Sequence, residues 1–336
     1  MLRSRCDRSR GTAQCERSAA QYAGCDRHAA HCRQRTPRAA GDRARGTGRS
    51  AKVLPRRPSC ESRHNGYARA DDVGMRSMPQ IIQLAADSGY DGIELRFVEG
   101  EDSLWKLAAF SATQMAETRR ALIDHGLAIA CVDTSCRFHS PDATQRDAEI
   151  QEAERMSDVA AELGAPGIRV FGDTIQPGAD RNSTRKWIAE SIRNLADRTE
   201  PKGVQVWLET HGDFVAAGET AAILRQCSSP CIGVVWDPVN SLVATGEPLG
   251  QGTALLGSAI RHVHVKDFQR CADGVQYVLT GQGAFPWQDL STALKQLRYD
   301  GFVSFEWEKK WHPELEDATI AVPHFAKQFA KVYVNG

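Results

Sequence analysis

The sequence predicts an α/β chain folded as a (β/α)8 barrel, and three observations predict it. From about Met78 onward, helical stretches alternate with short β-rich runs, an order that means a parallel sheet with helical crossovers. Residues 67–336 come close to the roughly 250 residues such a barrel needs. The strands also carry polar residues on one face and almost only Ile, Val, Leu, Phe or Trp on the other. A doubly wound open sheet would show continuous apolar runs instead, because helices cover both of its faces.

The elements follow in order. The helical "MPQIIQLAADSGY" leads to the strand "DGIELRF", and "FSATQMAETRRALIDHGL" to "AIACVDTSC". "DAEIQEAERMSDVAAELGA", with apolar residues three and four apart, leads to "GIRVFGD", and "TRKWIAESIRNLADRTEPKG" to "VQVWLETHGDF". "GETAAILRQC" precedes "CIGVVWDPVNS", "GTALLGSA" precedes "IRHVHVKDF", and "PWQDLSTALKQLRYDG" precedes "FVSFEWE". A last helix runs through "DATIAVPHFAKQFAKVYV". That makes seven strands. The first strand of the barrel is not recognisable. It should lie around "HNGYARADDVGMR", where no apolar alternation exists. Either this strand is degenerate or an unrelated segment has replaced it, and its loss would leave two unpaired edges in the barrel wall.

Residues 1–66 read as a disordered basic arm, and residues 67–336 as the barrel. The arm holds 15 Arg and 1 Lys against 5 acids, a net of +11 in a chain whose total is zero. Its large aliphatics are Met1, Leu2, Val53 and Leu54, too few to offset the entropy of ordering it. A basic arm suits nucleic acid, but an extension without a role of its own, or sequence upstream of the true start, is the plainer reading. No apolar core marks a secretory signal, and no run of 18 apolar residues spans a membrane. Of ten cysteines, five lie irregularly in the arm and five in later, mostly apolar stretches. They read as free thiols of a cytoplasmic protein rather than disulfides or a zinc knuckle.

Strand parity turns four chemically active residues inward on four successive strands: Glu209, Asp237, His264 and Glu306. Each lies near the C-terminal end of its strand, where such barrels keep their sites. Three carboxylates and one imidazole make an oxygen-rich set suited to one divalent ion. Mn²⁺ or Mg²⁺ is expected, with Co²⁺ or Zn²⁺ also admissible. Four buried charges without a partner would be expensive, which argues against mere strand ends. In "RHVHVKDF", His262, His264 and Lys266 share one face. His264 lies nearer the strand's end and suits a ligand. His262 is deeper and suits a support, while Lys266 is expected to emerge at the mouth and meet a substrate anion. His211 suits substrate or ligand support, and Arg169 and Arg96 point inward to pair with carboxylates.

The motifs "GYDGIELR", "LETHGDF", "WDPVN", "HVHVKD", "GQGAFPW" and "YDGFVSFEWE", in this order, resemble the sugar phosphate isomerase/epimerase superfamily with the xylose isomerase-like TIM barrel. The likeness runs from about Pro79 to the C-terminus. By resemblance to its ketose 3-epimerases, one divalent metal is held by Glu209, Asp237, His264 and Glu306. The two glutamates, Glu209 and Glu306, are then the catalytic acid/base pair, and Arg270 binds substrate. The implied function is a metal-dependent isomerase or epimerase of a sugar, sugar phosphate or sugar-like polyol. Glutamates move the proton through a metal-stabilised enediolate. A dehydratase of an inosose or keto sugar is the alternative on the same site.

This sequence departs from the epimerases in two places. Asn240 stands where they usually carry a histidine; an amide can bind a sugar hydroxyl but cannot take a proton. After Glu306 comes "EWEKKWHPELED", which they do not share; it brings Glu308 to the mouth as a further substrate-binding candidate and leaves the substrate open. "GQGAFPW" lacks the Lys-Ser/Thr of a phosphate loop and is expected to close over the mouth. An apurinic endonuclease is the third reading. Its zinc cluster needs histidines where this chain has Glu94, Asp133 and Asn240. A small carbohydrate is therefore the expected partner, with nucleic acid and membrane not expected and a homo-oligomer left open.

Overall fold

The computed structural model describes residues 67–70, 75–272, 274–329 and 331. The chain divides into two units, Met1–Ala51 and Lys52–Gly336, and all described residues lie in the second. The disorder expected of residues 1–66 lies outside the described residues.

Eight parallel strands close into a barrel. They are β1 (Tyr67–Ala70), β2 (Gly92–Leu95), β3 (Ala128–Arg137), β4 (Gly167–Phe171), β5 (Gln205–Glu209), β6 (Ile232–Trp236), β7 (Ile260–Val265) and, after an antiparallel hairpin of β8 (Asp267–Cys271) and β9 (Gly274–Val278), β10 (Phe302–Trp307). Their order around the wall is β1-β10-β7-β6-β5-β4-β3-β2. The α/β barrel is as expected, and the missing strand is found. Tyr67–Ala70 lies within "HNGYARADDVGMR" and pairs with β10 from Tyr67↔Ser304 to Ala70↔Trp307, and with β2 at Ala68↔Ile93. Four residues cannot show a convincing period-2 pattern, so nothing in the sequence marks this strand. The hairpin was not anticipated either.

Helices cross between the strands: α1 (Met78–Asp87), α2 (Met115–Asp124), α3 (Ala143–Leu163), α4 (Arg181–Thr199), α5 (Ala217–Cys227), α6 (Pro238–Thr245), α7 (Leu249–Leu256), α8 (Trp287–Leu297) and α9 (Ala318–Phe329). Local chemistry sets their ends. Asp142 and Asp180 cap α3 and α4 by accepting backbone N–H bonds, and α3 stops at Gly164 with φ +74°. No helix among the described residues is long and apolar enough to cross a membrane.

The outward face of the wall, from Ile93 and Leu95 round to Phe305 and Trp307, packs with the helices into one large apolar core. Inside the barrel a separate small cluster, Cys131, Trp207 and Val235, forms the floor. The Trp207 ring needs room there. A Cβ at Gly167, on the neighbouring strand, would collide with it, and one at Gly233 would collide first with Arg261. Above this floor the interior turns polar, so burial forces every charged group there to find a partner. Cys131, Cys136, Cys227 and Cys231 are buried free thiols, and Cys271 on the hairpin is exposed.

Candidate metal and acid–base site

Asp237 directly follows β6 and caps α6: its Oδ1 accepts the Asn240 N–H at 2.8 Å, and Pro238 occupies the first helical turn. The sequence "WDPVN" thus fixes the carboxylate twice, by strand and by helix. Its other oxygen, Oδ2, accepts from Lys266 Nζ at 3.0 Å. Burial pushes the Asp237 carboxyl up, and Lys266 only partly opposes this, leaving it at about 6.

Glu209 ends β5 and is 2% exposed. Its Oε2 lies 3.1 Å from Arg169 NH1, while Arg169 NH2 donates to Asp133 at 2.9 Å. Burial raises the Glu209 carboxyl, but Arg169 and His264 outweigh it and hold the group well below the usual carboxylate range. His264 stands on β7 with Nδ1 3.8 Å from Glu209 Oε1. One donor atom each from Glu209, Asp237 and His264 lies within 4.8 Å of the others. This spacing and donor chemistry fit a single divalent ion.

Glu306 reaches the same place by a different route. Its Oε2 accepts from Lys266 Nζ, which also bonds Asp237 and, at 2.6 Å, Glu308 Oε1. The structure therefore gathers three of the four expected ligands directly and joins the fourth through an ammonium. Lys266 itself corrects an expectation. It does not emerge at the mouth but is 1% exposed, because three carboxylates on β6, β10 and the segment after β10 surround its end. Burial alone would lower its affinity for a proton; those carboxylates reverse that and raise it well above the usual lysine range.

The other expected residues are placed as follows. Arg169 is fully buried and pairs with carboxylates, as parity implied. Arg96 donates to the Ser135 hydroxyl at 2.7 Å, which in turn donates to Asp102; burial raises the Asp102 carboxyl, but that bond and the Arg96 charge help hold it low. His262 is buried between the Trp207 ring, 6.1 Å away and parallel, and Glu94. His211 is half-exposed at the end of β5, against Phe171 and 3.4 Å from Asp173 Oδ1. Asn240 sits at the first turn of α6 beside Asp237. Arg270 is not brought to the carboxylates: it lies exposed on the hairpin, over the Phe268 ring and against the Leu242 carbonyl.

The "GQGAFPW" segment is anchored on Asp267. The buried Asp267 carboxylate accepts from the amides of Gly281, Gly283 and Phe285 and from the Trp287 indole. Phe285 and Trp287 are buried beside α9. Sequence reasoning also passed over Glu94 as a functional group. It is buried on β2, 2.9 Å from His264 Nε2 and 3.2 Å from His262 Nε2, with the Ser304 hydroxyl donating at 2.5 Å. Its inward parity was the available signal.

Comparison with known proteins agrees with this architecture. The D-psicose 3-epimerase of Clostridium cellulolyticum H10, solved with D-tagatose, superposes with a TM-score of 0.66 at 18% identity, over 80% of this chain and 99% of that one. The IOLI protein, solved with a zinc atom, gives 0.67 at 18% identity, over 80% and 98%. Among curated sequences, the 3-dehydroshikimate dehydratase of Pseudomonas putida is 23% identical over 175 residues, 51% of this chain and 26% of that protein. The matched stretch thus spans about a quarter of that relative. A family model described as xylose isomerase-like TIM barrel matches residues 82–328; the chain belongs to that family.

Proposed function

We propose that this protein is a divalent-metal-dependent isomerase or epimerase acting on a small carbohydrate: a sugar, sugar phosphate or sugar-like polyol. The observation that carries the reading is the convergence of Glu209, Asp237 and His264 at the C-terminal ends of β5, β6 and β7. Glu306 on β10 is linked to them through Lys266. These four residues would hold the ion, with Mn²⁺ or Mg²⁺ expected from the oxygen-rich set. When bound, the ion polarises a substrate carbonyl and makes the neighbouring C–H more acidic.

The chain's own groups do the rest. Glu209 on β5 and Glu306 on β10 flank β6 and β7 in the wall, so their carboxylates stand on two sides of Asp237 and His264. A glutamate within hydrogen-bond reach of the substrate carbon takes the proton. Return by the same group to an adjacent carbon isomerises; delivery by the other group from the opposite face epimerises. His211 and Asn240, both near the mouth, suit binding of sugar hydroxyls, and Glu308 suits holding Lys266 in place.

One observation favours a dehydratase as the second reading: the Pseudomonas putida relative carries that name. A panel of ketoses, inososes and 3-keto sugars, run with Mn²⁺ in deuterated water, separates them. Isomerase or epimerase action places deuterium on carbon without loss of water; a dehydratase yields an unsaturated product. No turnover and no deuterium uptake across the panel would count against both.

A further inference from the structure

We propose that Glu94 is a positioning residue that fixes the tautomer and ring orientation of His264, so that Nδ1 faces the cluster of Glu209 and Asp237. This deepens the metal reading and rests on it. A carboxylate only accepts hydrogen bonds. With Glu94 Oε1 2.9 Å from His264 Nε2, a proton belongs on Nε2, and Nδ1 is the nitrogen turned to the Glu209 side, where Oε1 lies 3.8 Å away. A carboxylate behind a ligating imidazole both orients the ring and raises its basicity.

The support is itself held on both sides. The Ser304 hydroxyl donates to Glu94 Oε2 at 2.5 Å, and His262 Nε2 stands 3.2 Å from the same oxygen. The fold makes this geometry through register. β10 pairs with β7 so that Ser304 lies opposite His264 and Phe302 opposite His262. Glu94 enters from β2, which lies beyond β1 from β10. All four side chains are buried, so neither Glu94 oxygen turns to bulk water for a partner. The two imidazoles meet edge-on, 5.4 Å between centroids. In "RHVHVKDF" one histidine is thus presented and the other packs against its support.

The test uses the purified full chain: calorimetric titration with Mn²⁺ alone, and ¹⁵N spectra of the histidine rings with diamagnetic Zn²⁺ in its place. Wild type is expected to bind Mn²⁺ and to show His264 protonated at Nε2. Glu94→Gln, nearly the same size, lets the amide donate to Nε2; binding should weaken roughly 10–100-fold and the ring signal should shift toward the other tautomer. Glu94→Asp keeps the charge and should recover part of the affinity. Ser304→Ala, which leaves Glu94 in place, should cost less than Glu94→Gln. Unchanged Mn²⁺ affinity and tautomer in a folded Glu94→Gln protein would overturn the inference while leaving the metal site standing. Failure of wild type itself to bind Mn²⁺ would overturn the metal reading and this inference with it.

Discussion

The two glutamates at the barrel mouth each hold a buried cation, and the two cations differ. Glu209 meets Arg169, a rigid guanidinium pinned from behind by Asp133. Glu306 meets Lys266, a flexible stem whose ammonium is shared among Asp237, Glu306 and Glu308. Arginine stays charged and presents a fixed fork; lysine is a point charge on rotatable bonds. The Arg169 side is the more rigid of the two, and its Glu209 is held as an anion, the form that accepts a proton. The Lys266 side is held by rotatable bonds rather than a fixed fork, which makes its Glu306 the better candidate for moving a proton.

Three substitutions sharpen or break that contrast. The largest effect is expected of Glu306→Gln, which should cut turnover by about 10²–10⁴-fold with circular dichroism and melting unchanged. Full activity in this variant would sink its assignment as acid or base. Next comes the rigid cation against the flexible one. Arg169→Met leaves Asp133 and Glu209 buried without their cation and should destabilise by roughly 3–5 kcal/mol. Lys266→Met should cost less in melting, and added Mn²⁺ should recover more of that loss than it adds to wild type. Equal melting losses with no metal recovery would erase the distinction between the two sides.

The smallest effect belongs to the rim. His211 lies beside Asp173; burial lowers its affinity for a proton, but the Asp173 contact outweighs this and raises it above the usual histidine value. Stabilisation from a raised histidine is fully present below its unfolded value of about 6.5 and is lost as pH rises through the folded value. Asp173→Asn should therefore lower the melting temperature more at pH 6 than at pH 9. The His211 side chain is 42% exposed, so solvent screening keeps the difference small. A loss that is the same at both pH values would assign Asp173 to its Arg137 bond alone.

Much of this was legible in the sequence because strands alternate. Parity placed Glu94, Asp133, Arg169, Glu209, His262 and His264 inside the barrel before any coordinates, and those residues are buried there. What alternation cannot give is the partner across the barrel. Glu94 meets His264 over a separation of 170 residues, and Lys266 is buried because carboxylates from β6, β10 and the segment after it surround its end. A short element was hidden for another reason: Tyr67–Ala70 is too brief to show a period.

The central claim is that Glu209, Asp237, His264 and Glu306 hold one divalent ion. Electron paramagnetic resonance of Mn²⁺ titrated into the metal-stripped full-length protein tests it most directly. The account predicts one tightly bound Mn²⁺ per chain, lost in His264→Ala and retained in His262→Gln. Binding that survives His264→Ala, or a stoichiometry near three, would contradict it.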